Sequence, residues 1–198
     1  MYQNGMFLEN RSPLTCLILF AIKIEIIPNI SLYKAAEKGD IEAVKQHIAA
    51  GTDINQNSFN ASPALYIASL EGHYEIAKLL LANGADVNLG FTVLGRTRSP
   101  LDSSTGQGHD KISDLLRQNG GKHGDIFGAV NAEDYEAVKD FIAAGEVNKM
   151  EYRDRGDTAL DNAIWNDLPK IADLLRKHGG KTLDELKAAT KPSASQEQ

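Results

Sequence analysis

A single cysteine, Cys16, in 198 residues removes any internal disulfide, so no cystine framework holds this chain together. Positive charge is also short: 21 Lys and Arg stand against 27 Asp and Glu, a formal net charge of -6. Nucleic acid and anionic lipid are gripped by basic patches that displace counterions, and this balance argues against both. No apolar run is long enough to cross a bilayer, since LTCLILFAI at 14–22 is followed by Lys23 and Glu25, which a longer span would place in hydrocarbon. Catalytic signatures are missing as well. There is no G-x-S-x-G, Ser103 and Ser104 stand where other segments carry small packing residues, and GGK at 120–122 and 179–181 lacks the spacing of a phosphate loop. His47, His73, His109, His123 and His178 do not pair with cysteines or acids at metal-ligand spacing. Catalytic, metal and cofactor residues are therefore all expected to be absent, and no enzyme is expected.

What the chain has is repetition. EKGDIEAVKQHIAAGTDIN at 37–55 and LEGHYEIAKLLLANGADVN at 70–88 share glycines, acids, an apolar stripe and a terminal Asn at an offset of 33. Aligned on the first apolar residue of each unit, Leu32, Leu65, Leu101, Ile126 and Leu160 define five units with successive offsets of 33, 36, 25 and 34. Ile41, Val44 and Ile48 are spaced three and four apart and so share one helix face, while Ala35 and Ala36 let a first helix lie close to its neighbours. Gly39, Gly72 and Gly108 break each helix pair; Gly51 and Gly84 stand where a left-handed residue ends a helix. Asp40, Glu42, Asp134 and Glu136 fall at helix starts, where carboxylates complement the helix dipole. No unit buries its stripe alone, so the units must stack.

Unit two adds Gly72, His73, Gly84, Ala85, Asp86, Val87 and Asn88, unit three repeats Gly108, His109 and Gly120 after Ser99, Pro100 and Leu101, and unit five carries Thr158, Ala159 and Leu160. These residues resemble ankyrin repeats over about residues 31 to 182. The resemblance implies an all-α solenoid of helix-turn-helix units with short β-hairpin fingers on one side. The expected organisation is an apolar N-terminal segment at 1–30 (a cap, a degenerate signal or a non-native leader), units near 31–60, 61–97, 98–123, 124–156 and 157–182, a capping helix at 183–190 begun by a Thr182–Glu185 capping box, and a polar tail at 191–198. Two departures stand out. Pro63 occupies the usual threonine position of unit two, and unit three ends NGGKHG without the G-A-D-V-N tail, which accounts for the short offset. Either the stack continues with one hairpin missing, or sub-arrays of three and two units hinge at Gly120–Gly124. A continuous stack is favoured because two units are small for a core of their own.

The resemblance also implies a function: proteins of this family bind partners along the fingers and first-helix ends. The equivalent first-helix positions are Glu37, Leu70, Gly106, Asn131 and Trp165, and Leu70 and Trp165 are costly to leave in water. The longer fingers at 90–99 and 149–157 add Phe91, Arg96, Arg98, Tyr152, Arg153 and Arg155, aromatics beside arginines of the kind that interfaces favour. These eight residues are the expected partner-binding set for a protein partner of unknown identity, and in an acidic protein the basic finger row could orient an acidic partner. Nucleic acid and a small-molecule cofactor are not expected, and the cytoplasm is the expected compartment. The alternative reading is a self-assembling structural or membrane-associated scaffold that uses the apolar N-terminal segment at 1–30, with membrane association left open by residues 14–27.

Overall fold

The computed structural model describes residues 28–56, 62–93, 96–150 and 157–190. Residues 1–27, with Cys16 and the apolar run, and the tail at 191–198 lie outside the described residues. Five antiparallel helix pairs follow in order: α1 (Leu32–Lys38) with α2 (Ile41–Ala49), α3 (Ala64–Leu70) with α4 (Tyr74–Ala82), α5 (Pro100–Gly106) with α6 (Asp110–Gln118), α7 (Ile126–Asn131) with α8 (Tyr135–Ala143), and α9 (Ala159–Trp165) with α10 (Pro169–Lys177). A last helix, α11 (Leu183–Thr190), closes the chain, and a finger of β1 (Phe91–Val93) and β2 (Arg96–Arg98) precedes α5. No described helix is long and apolar enough to cross a membrane.

Each pair forms for local reasons. Ser31, Ser99 and Thr158 cap the first helices of units one, three and five through their hydroxyls, whereas Pro63, standing where threonine is usual, gives α3 no side-chain cap. Asp40 and Asp134 accept from Ala43 N and Ala137 N and so start α2 and α8, the role their sequence position implies. Gly39, Gly72 and Gly108 turn the chain at φ of 71°, 79° and 72°. The asparagine that ends the repeated phrase has a structural task. Asn55 Nδ2 donates to Gly84 O while its Oδ1 accepts from Asp86 N, and Asn88 does the same to Gly120 and Lys122, as Asn148 does to Gly179 and Lys181. One side chain thus satisfies a donor and an acceptor of the next unit.

The apolar core falls into two clusters. The first joins units one to three through Leu32, Val44, Leu65, Leu80, Leu101 and Leu116; the second joins units four and five through Ile126, Phe127, Val130, Val138, Leu160 and Leu175. Between them, where unit three lacks its tail and its Asn, the described contacts are mostly polar. Asp102 Oδ1 accepts from buried His123 Nδ1 at 2.6 Å, and its Oδ2 accepts from Ser99 N at 2.8 Å and Gly124 N at 2.9 Å. Fully buried Asp125 caps α7 and receives the Arg96 guanidinium at 3.3 and 3.4 Å, with Arg96 also 4.9 Å from the Phe127 ring centre. Gly124 and Gly128 permit this approach: a Cβ at either would collide with Thr97 O or the Asp102 carboxylate. The same arrangement recurs 59 residues on, where Asp161 Oδ2 accepts from Thr158 N at 2.9 Å and Leu183 N at 2.8 Å. Unit four is therefore docked on unit three by the same bond that docks α11 on unit five.

The Thr182–Glu185 box forms as its sequence implies, with Thr182 N donating to Glu185 and Glu185 N donating to the Thr182 hydroxyl. Arg176 Nη1 beside Glu185, together with the Thr182 N–H, holds this carboxyl below the ordinary glutamate range. A depressed value stabilises the folded helix above the unfolded value and loses that contribution as pH falls. Helix α11 is therefore expected to loosen below about pH 4, before the rest of the stack, as backbone exchange followed across a pH series would show.

Candidate functional site

The fold leaves a groove at the first-helix ends of units two to four. It encloses about 230 Å³ and is lined by Leu70, Arg96, Arg98, Asp102, Ser103, Thr105, Gly106, Gln107, Gly128 and Asn131. Part of its floor is left open by the missing side chain of Gly106, while Gly128 lets the Asp102 carboxylate lie against α7. A Cβ at Gly106 would meet nothing within 4 Å, so the space above it belongs to the groove. The wall from unit two is set by histidine: His109 Nε2 donates to Leu70 O at 3.2 Å, as His73 Nε2 does to Glu37 O, which fixes each first-helix end against the following turn. The finger supplies the other wall through its antiparallel register, Phe91 opposite Arg98 and Val93 opposite Arg96.

The predicted site residues divide. Leu70, Arg96 and Arg98 come together in this groove. Arg98 is exposed at the end of β2. Arg96 is a correction to the sequence reading. Its side chain is only 12% exposed and its charge is directed at Asp125, because the shortened connector brings Asp125 under the finger. Phe91 is half-buried and packs near Tyr66, ring centres 6.1 Å apart, and Leu70 is half-buried against the first core. Trp165, the last residue of α9, is 82% exposed, the most exposed large apolar residue among those described, and does not line the groove. Tyr152, Arg153 and Arg155 lie outside the described residues. The sequence reading passes over Ile164, 52% exposed beside Trp165, and the joint pair Asp102 and Asp125. Taken by itself, an acid at each helix start reads as capping alone. Four of the histidines, His47, His73, His109 and His123, serve the fold: His47, for instance, contacts Thr52 Oγ1 and Ile30 O. No group of three metal-capable side chains occurs among the described residues.

A family model described as ankyrin repeats (3 copies) matches residues 32–127. Residues 32–127 are ankyrin repeats. Units four and five, beyond that span, repeat the same helix pair, and the whole has the ankyrin-repeat fold, mostly helical with a short two-stranded sheet. The bovine mitochondrial disaggregase is 26% identical over 149 residues, 71% of this chain and 22% of that protein. The potassium channel AKT1 of Arabidopsis thaliana is 34% identical over 88 residues, 42% of this chain and 10% of that protein. The chain thus spans less than a quarter of either relative. The ankyrin repeat domain of human ASB11 is similar in structure, with 26% identity, a TM-score of 0.48, and 77% of this chain and 71% of that one covered. Ankyrin repeats are in general protein–protein interaction modules, typically without catalytic activity.

Proposed function

We propose that this ankyrin stack is a non-catalytic module that binds a protein partner along its first-helix ends, with Arg98 of the finger supplying charge and Leu70 and Trp165 supplying apolar contact. The observation that carries the reading is Trp165, 82% exposed at a helix end. Aromatic residues in that setting dominate interface energetics, and an exposed arginine beside a groove with space over Gly106 suits a carboxylate of the partner. Arg96 has no part in it, since its charge is used at the joint.

Trp165→Ala is expected to leave the melting temperature nearly unchanged, because an exposed side chain contributes little to folding. It should weaken the captured complex by about thirtyfold, the loss of about 2 kcal/mol typical of a hot-spot residue. Affinity capture with wild type, Trp165→Ala and Arg98→Glu, read by quantitative mass spectrometry, tests this. A protein held by wild type and lost with both variants supports the reading, whereas identical captures from all three would sink it.

A further inference from the structure

Units one to three make the turn inside each helix pair with glycine, but units four and five place Glu133 and Asp167 there, at φ of 55° and 54°. Side chains in that left-handed region are uncommon and cost about 1 kcal/mol where glycine costs none. The next position changes too. In units two and three the His73 and His109 rings fill the step to the preceding unit, so close that a Cβ on Gly39 or Gly72 would stand 2.7 Å from a ring carbon. Unit five has Leu168 in that place, with neither ring nor donor. The step between units four and five accordingly stays open as a cleft of about 630 Å³. Tyr135, Leu168, Pro169 and Ile171 give it apolar walls, and Glu133, Asp167 and Lys170 give it a charged rim. None of these residues lines the groove at units two to four.

We propose that this cleft docks a cationic segment of a protein partner, with an arginine or lysine head between the Glu133 and Asp167 carboxylates and its aliphatic stem and an apolar neighbour against Tyr135, Leu168 and Pro169. The charge decides the occupant. Two carboxylates face one ammonium on the rim, and the nearby Lys139 does not redress the balance, because it pairs with Glu136 at 2.8 Å while lying over the Tyr135 ring. Arginine and lysine stems cover apolar walls while their heads stay at a wet rim, which matches this layout. The net charge of -6 draws such a segment in. An acidic segment would meet like charge at the same rim.

The backbone supplies an unusually clean test. Glycine adopts φ near 55° without strain, so the double variant Glu133→Gly, Asp167→Gly removes both carboxylates while the turn stays intact, and its melting temperature should equal or exceed that of wild type. The full chain, isotope-labelled, is titrated by NMR with the capped peptide Gly-Arg-Leu-Arg-Gly and with its counterpart carrying glutamate for arginine. The arginine peptide should shift the amides of Glu133, Asp167 and Lys170 saturably and less at high salt; the double variant should bind it about tenfold more weakly, and Arg98→Glu should bind it as wild type does. The proposal is overturned by an arginine peptide that leaves these amides unmoved, by equal binding to the double variant, or by an equal response to the glutamate peptide. Shifts of the same amides with protein concentration alone would also overturn it, assigning the cleft to a second copy of the chain.

Discussion

Asp102→Ala is expected to destabilise the protein by about 3 kcal/mol or more. This one carboxylate accepts from three donors, Ser99 N, Gly124 N and His123 Nδ1, and its side chain is only 7% exposed. A methyl group offers none of them an acceptor, and each buried donor left unpaired costs about 1–3 kcal/mol. Two of the three belong to the connector into unit four, so the damage should fall at the joint. Amide exchange in Asp102→Ala should rise first at residues 123–131, with the first core still protected. Asp102→Asn, which keeps one carbonyl acceptor, should recover part of the loss. Equal acceleration of exchange throughout the chain would show that the joint has no separate role.

A comparable loss is expected from Leu160→Ala, in the second core. Leu160 is fully buried with Phe127, Val130 and Leu175, and truncating a leucine in such a place costs about 2–5 kcal/mol. Only two units share this core, and a repeat array holds together by the sum of unit and interface terms, so the loss is a large fraction of what units four and five possess. Helical signal should then melt in two steps, with the earlier step belonging to residues 126–177. Leu101→Ala, a comparable change in the first core, should instead weaken units one to three. A single unaltered transition in both variants would mean that the two clusters unfold as one.

The repeat period, the helix faces, the glycine turns and the final capping box are all legible in the sequence, because each is local and recurs. The exposure of Trp165 is legible too, since it follows from the register of one unit on the next. Arg96 is not. Its inward course depends on Asp125, 29 residues along, and only the shortened connector brings the two together. The same shortening reads in the sequence as one hairpin lost from a continuous stack, whereas the structure shows two clusters meeting at a polar joint. The signal is present but easy to pass over: SPLD and DLLRQNGGK in unit three answer TALD and DLLRKHGGK in unit five, 59 residues apart, so unit three ends as the last unit of the chain ends. The cleft beside Glu133 and Asp167 escapes notice for a related reason. Two acids in place of two glycines read as ordinary surface until the missing histidine ring is placed.

The joint also fixes how this protein responds to mechanical load. Apolar contact is non-directional, so packed helices can slide and still keep much of their attraction. The bonds of Asp102 to His123 and Gly124 are short and directional, and they weaken steeply once the geometry is lost. Under tension between its two halves the stack would resist the first few tenths of an ångström stiffly and then part at one place, with both cores intact on either side. Any bridge between units two and five would carry that load in parallel with the joint and so raise the force at which the two cores part.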